Sequence, residues 1–195
     1  MNGGKLAGGN PANGRVDKDF YATDPKALRM LFAVHNFDMT KVLEPCVGSG
    51  TLAKTIEEDF HIIPTCVDVA DYGYPNTILH DFLSWDTSEH FSSIITNPPY
   101  SLASEFVEKG YSLLVPGGQM AMFLKIQFLE SEKRKKLFDN YPPRYIYVFR
   151  KRMATWANGQ TVDPKTGKPW ATTMCNAWYI WEKDWKGEPT VRWLD

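Results

Sequence analysis

Apolar positions first fall at helical spacing between Pro25 and Asn36, where Ala27, Leu28, Leu31, Phe32 and Val34 share one side of the segment. Thr23 and Asp24 precede Pro25, and a capping residue ahead of a first-turn proline is a helix start. From Lys41 onward the pattern alternates strand and helix. Strands are expected at Lys41–Val47, Ile62–Val69, Thr77–His80, Ser92–Thr96, Gln119–Lys125, Arg144–Phe149 and Asn176–Glu182. Helices are expected at Thr51–Asp59, Ser101–Leu114 and Ser131–Phe138. Pro116-Gly117-Gly118 breaks the chain before the fifth strand, and Met153–Thr173 is polar, turn-rich and reads as a loop. The segment 184–195, with Trp185 and Trp193, is expected to pack back on the body.

Repeated strand–helix units imply a mostly parallel, doubly wound α/β sheet of about seven strands with helices on both faces. The last two strands follow one another without a helix and should form an antiparallel end pair. Residues 2–14 hold five glycines and no apolar period, so 1–18 read as a flexible tail and 19–195 as a single domain.

Composition narrows the class. With 195 residues, 43% hydrophobic and 23% charged, the chain resembles an ordinary globular domain able to bury a core. No apolar run is long enough to span a bilayer, and the N-terminus lacks the apolar core of a secretory signal, so no membrane association is expected. The three cysteines, Cys46, Cys66 and Cys175, are far apart and exclude a disulfide framework or a Cys-rich zinc site. A reducing cytosol is the expected compartment. His35, His61, His80 and His90 show no ligand spacing, so no metal is assigned. The net charge of −1 hides an asymmetry. Residues 38–95 carry ten acids and two bases, whereas 125–168 carry eleven bases and four acids. The basic half, with Lys133, Arg134, Lys135, Lys136, Arg144, Arg150, Lys151 and Arg152, would suit phosphates or be plain solvated surface.

Chemistry is expected at the carboxyl ends of the strands. Glu44-Pro45-Cys46-Val47-Gly48-Ser49-Gly50 closes the first strand. Its two glycines permit a tight turn and a close ligand approach, although a plain strand-to-helix turn looks the same. It is neither a dinucleotide fingerprint nor a Walker loop. Asp68, with Val69 beside it, ends the second strand, where an acid accepts ribose hydroxyls. Asp81-Phe82 follows the third strand and offers an acceptor for an amine and an aromatic wall. Either acid also reads as the cap of a following turn. Asn97-Pro98-Pro99-Tyr100 is the sharpest feature. Two prolines stiffen the turn, so the Asn97 side chain and the Pro98 carbonyl are held as acceptors beside the flat ring of Tyr100. Such a set can hold a planar group bearing an NH2.

These motifs, in this order and spacing, resemble the S-adenosylmethionine-dependent amino-methyltransferases, in particular the DNA adenine-N6 methyltransferases. The resemblance spans roughly residues 19–182 and implies a Rossmann-like class I methyltransferase fold. The compact size and glycine-rich tail resemble the orphan enzymes of phages and prophages, working in bacterial or infected-host cytosol. The resemblance implies that Phe20, Tyr21 and Thr23 hold the methionine end of the cofactor. It places Glu44, Cys46, Gly48, Gly50, Asp68, Val69, Asp81 and Phe82 along the rest of it. Asn97, Pro98 and Tyr100 become the catalytic set. Pro99, Phe128, Trp156, Arg150 and Arg152 fall on the substrate side, with Trp156 the leading candidate to cover a flipped base.

The chain departs from the family in one respect. Many members carry a target-recognition domain, and neither the stretch from Gly50 to Asn97 nor the residues after Glu182 has room for one. Recognition is then expected from loops, from a partner subunit, or to be relaxed, in a monomer or a homodimer. Other readings are an RNA adenine or a protein glutamine as substrate, or a non-catalytic module of the same fold that binds nucleic acid or a partner.

Overall fold

The computed structural model describes residues 21–153, 155–157, 162, 167–168 and 174–195. The expected tail at 1–18, Phe20 and most of the 158–173 loop lie outside the described residues. Tyr21–Thr23 forms strand β1, and helix α1 (Pro25–Phe32) starts where the motif places it. The Asp24 side chain accepts the Lys26 N–H at 2.9 Å, capping the first turn. The helix ends at Phe32 rather than Asn36 because the backbone loosens into turns that bond back to Leu31.

β2 (Val42–Glu44), α2 (Thr51–Phe60), β3 (Thr65–Asp68), β4 (Ile78–Leu79) and β5 (Phe91–Thr96) follow. A short 3-10 turn at Tyr100–Leu102 leads into α3 (Ala103–Leu113). β6 (Leu114–Lys125) is longer than expected. Leu114 pairs with Phe91 before Pro116-Gly117-Gly118, the register then shifts, and pairing resumes at Gln119 with Ser93. The expected basic helix is divided: Glu132–Arg134 is a 3-10 turn, and α4 spans Lys135–Asn140, past the expected end at Phe138. β7 (Tyr145–Phe149), β8 (Thr155–Ala157), β9 (Asn176–Glu182) and β10 (Thr190–Leu194) complete the chain.

The main sheet has eight strands in the order β10-β7-β9-β6-β5-β2-β3-β4. All neighbours are parallel except β9, which lies antiparallel between β6 and β7. Two expectations are corrected here. The antiparallel pair does not end the sheet, because β10 runs parallel to β7 and takes the edge. The supposed loop contains β8, which pairs with β1 from Tyr21↔Ala157 to Thr23↔Thr155 in a separate two-stranded ribbon. Three-residue strands have no period to read, so only the tertiary pairing reveals them.

Helices cover both faces. One core joins α1 and α2 to Val42, Ile95, Phe123, Trp178 and Ile180. The other joins α3 and α4 to Ile94, Met122, Leu124, Tyr179 and Trp181. β9 shows why tryptophan is abundant. Alternation sends Trp178 to one face and Trp181 to the other. Trp178 Nε1 donates to the Ala27 carbonyl and Trp181 Nε1 to that of Tyr141, each at 2.9 Å. One strand thereby pins both helical layers, with each indole N–H satisfied.

The strand order reverses between β2 and β5, since β3 and β4 extend one way and β6 the other. Ligands of open α/β sheets lie at such a point, beyond the carboxyl ends of the strands.

Candidate active site at the carboxyl ends of the strands

A cavity of about 520 Å³ opens at that point. Its walls bring together Tyr21, Thr23, Glu44, Cys46, Asp68, Val69, Asp81, Phe82, Asn97 and Pro99, which come from four strand ends, the following loops and β1. Sequence reasoning missed Tyr72, Thr51, Leu52, Ser101, Leu102 and Phe106, which also line it. Leu52 and Phe106 sit on helices at ordinary core spacing, so nothing local marks them. Tyr72, an aromatic in the polar turn after Asp68, was the one readable signal.

Asn97 is held by its donor end. Its Nδ2 donates to the Tyr21 carbonyl at 2.8 Å. A carbonyl only accepts, so the NH2 must face it, and the acceptor Oδ1 is turned away from β1. Pro98 behind it is buried, and the Pro99 carbonyl accepts Leu102 N–H at 2.9 Å, closing the turn. Tyr100 is half-buried against the α3–α4 core.

Glu44 is 1% exposed and lines the cavity, yet its Oε2 has no hydrogen-bond partner. Burial pushes its carboxyl well above the usual range, nearby Asp68 adds to this, and the Ala53 N–H opposes it. Thr23, also on the wall and buried, has an unpartnered Oγ1. Unpartnered buried oxygens are costly, so two on one cavity wall suit a polar ligand with donors. Cys46 is kept a neutral thiol by burial and by Asp68, Glu44 and Asp81. A nucleophilic role needs a thiolate, which this setting disfavours.

The glycines of the first loop shape the site without lining it. Gly48 N–H donates to Asp68 Oδ2 at 2.9 Å, while Ala70 N–H donates to Oδ1 at 3.2 Å. Asp68 therefore also ties the β2–α2 loop to β3. Gly50 has φ +80°, and a Cβ there would lie 2.0 Å from the Tyr74 ring. Its bareness serves Tyr74 packing and the left-handed backbone, in place of the close ligand approach expected. Asp81 Oδ1 accepts Leu83 N–H at 3.0 Å, so this acid caps a turn while lining the cavity. Phe82 is a buried wall, its ring 4.9 Å from that of Phe106.

The substrate-side residues are dispersed. Phe128 is buried in the core against Phe138 and Tyr179. Trp156, on β8, lines a separate groove with Lys26, Arg29 and Met30 along α1. Arg150 and Arg152 follow β7 on the same sheet edge as the cavity, exposed, with Arg150 Nε 2.6 Å from Asp195 Oδ1. Arg144 immediately precedes β7, pairs with Glu182, and so lies at the opposite edge. The basic half is thus split by the sheet. No cluster of three His, Cys, Asp or Glu suited to a metal occurs among the described residues. No helix among them is long and apolar enough to cross a membrane.

Comparison with known proteins bears on the fold. No family model matches the chain. A stretch is 38% identical over 74 residues to the type II methyltransferase M.CvrRI of a Paramecium bursaria Chlorella virus. That match covers 33% of this chain and 20% of that protein, so it spans about a fifth of the relative's length. A candidate class I S-adenosylmethionine-dependent methyltransferase from Listeria monocytogenes superposes with a TM-score of 0.60 at 14% identity. It covers 93% of this chain and 68% of that one. A modification subunit of a candidate type I restriction enzyme from Vibrio vulnificus gives a TM-score of 0.57 at 14% identity, over 91% of this chain and 46% of its own. The chain has the class I S-adenosylmethionine-dependent methyltransferase fold.

Proposed function

We propose that this protein transfers a methyl group from S-adenosylmethionine to the exocyclic N6 amine of adenine in DNA. One observation carries the reading. The donor end of Asn97 is committed to Tyr21, which leaves an oriented acceptor on the rim of a cavity whose buried Glu44 and Thr23 oxygens lack partners. The fold, the viral methyltransferase match and the restriction-modification neighbour support the same class.

S-adenosylmethionine supplies a methyl group already activated on a sulfonium, so the protein's task is positioning. Tyr21, Thr23 and Glu44 would hold the amino-acid end, with Glu44 facing its ammonium. Asp68 would accept from the ribose hydroxyls. Val69, 57% exposed at the cavity wall, and Phe82 would flank the adenine, and Asp81 its amine. Asn97 Oδ1 and the Pro98 carbonyl would accept the two N–H bonds of the target amine. Its lone pair is delocalised into the ring, and two acceptors draw the nitrogen toward a tetrahedral shape that exposes the pair. Tyr100 would stack on the everted base. Arg150 and Arg152, on the same edge, would meet phosphates.

The test is methyl transfer from labelled cofactor offered in parallel to unmethylated DNA, RNA and total protein. Label in DNA as N6-methyladenine is expected. Label confined to RNA or protein overturns the substrate, and no label anywhere overturns the enzyme.

A further inference from the structure

Resting on that reading of the site, we infer that Lys125 is a phosphate-binding positioning residue at the target nucleotide, exchanging the ring of Tyr100 for a phosphodiester when the base stacks. Lys125 is the last residue of β6, half-buried, and its Nζ lies over the Tyr100 ring, 5.1 Å from the centroid. The ammonium therefore lies over the aromatic surface on which a base would stack. A base that stacks on the face held by the ammonium displaces it, and the Lys125 stem pivots from the end of a central strand.

Four other cations of the basic half already have partners. Arg134 donates to the Phe128 and Gln127 carbonyls, Lys135 pairs with Asp139, Arg144 with Glu182, and Arg150 with Asp195. Lys125 takes part in none of the ion pairs among the described residues, and neither do Lys133, Lys136, Lys151 and Arg152. Lys125 differs from these four by its place over Tyr100. The chemistry also disfavours an ammonium left bare on the amine's side of the reaction, because positive charge passes there from the sulfonium. An amine that attacks an alkyl donor gains positive charge, and a fixed cation nearby opposes that. A phosphate held by Lys125 cancels the opposition and fixes the strand that carries the base.

The experiment compares wild type, Lys125→Met and Lys125→Arg on a pool of unmethylated duplex oligonucleotides of mixed sequence. KM, kcat and binding are measured between roughly 50 and 200 mM salt. Lys125→Met should raise KM about tenfold and flatten the plot of log affinity against log salt by about 0.9, the share of one phosphate contact. The kcat at saturation and cofactor affinity should be nearly unchanged, and Lys125→Arg should restore the slope. An unchanged slope, or a fall in kcat at constant KM, overturns the inference and leaves Lys125 as a mere prop for Tyr100. Should Lys125→Met fail to fold, Lys125→Gln carries the same test. A wild type that neither binds nor methylates the pool removes the proposed function itself. An active wild type with an unaltered variant slope strikes Lys125 alone.

Discussion

The two edges of the main sheet treat polar side chains in opposite ways. At the carboxyl edge, Glu44 and Thr23 line a cavity, and their buried Oε2 and Oγ1 lack partners. Toward the other edge a polar chain is closed. His35 meets Tyr147 Oη at 3.0 Å and Gln119 Oε1 at 3.2 Å, Gln119 Nε2 donates to Glu182 at 3.0 Å, and Arg144 pairs with Glu182. The chain has a direction. Glu182 holds the NH2 of Gln119, so its oxygen accepts from His35 Nε2, and neutral Nδ1 accepts from Tyr147. A satisfied network adds stability and specifies geometry. An unsatisfied pair persists where something else is meant to bind. The contrast sets a closed polar chain at one edge beside unpartnered oxygens on a cavity wall at the other.

The sharpest way to break the contrast is Asn97→Ala. Loss of the acceptor should lower methyl transfer by a factor of about 10²–10³ while cofactor affinity stays nearly constant. Calorimetry beside single-turnover rates checks this; equal loss of both would make Asn97 structural. Glu44→Gln comes next. A carboxyl whose pKa is raised on folding contributes stability in full below its ordinary value near 4.5 and loses it as pH rises through the folded value. Glu44→Gln should therefore stabilise the protein at neutral pH and remove that slope in thermal melts. It should also weaken cofactor binding and abolish the rise of affinity with pH caused by ionisation of Glu44.

His35 has the opposite sign. Burial, with Arg192 and Arg144, lowers its pKa from 6.5. Its contribution is complete above that value and is lost as pH falls through the folded value, because protonation leaves Nδ1 unable to accept from Tyr147. His35→Ala should cost about 1–3 kcal/mol in denaturant melts at neutral pH, with little change in transfer at saturating substrates. The smallest effect belongs to Arg150→Ala. Its pair with Asp195 is exposed on both sides, so stability should move by no more than about 0.5 kcal/mol, although affinity for DNA should fall.

Much of the frame was legible along the chain. Asp24-Pro25 announced α1, the glycine loop announced the β2–α2 turn, and the apolar run between Asn176 and Glu182 announced β9 with its final bounds. Acids at successive strand ends and the Asn97 turn did meet on one cavity. What escaped was short or remote. β1 and β8 are three residues long, β10 is exposed over its first four positions and so shows no buried alternation, and their partners are far away in sequence. Trp156 and, more weakly, Phe128 were candidates to cover the substrate, yet Phe128 is core and Trp156 lines a groove on α1. Arg144 and Arg150 stand six residues apart and lie at opposite edges, because a strand separates them.

Local chemistry by itself determined where strands end, which residues stiffen the turn after β5, and that acids would gather at one edge. Those are properties of a few adjacent residues: proline geometry, glycine torsions and the alternation of a strand. Tertiary structure alone decided which of the polar groups are paired. The Tyr21 carbonyl reaches Asn97, and Lys125 reaches Tyr100, only after distant strands are laid side by side. Hydrogen bonding depends on ångström distances, and in a folded chain those are set by packing between elements rather than by order along the backbone.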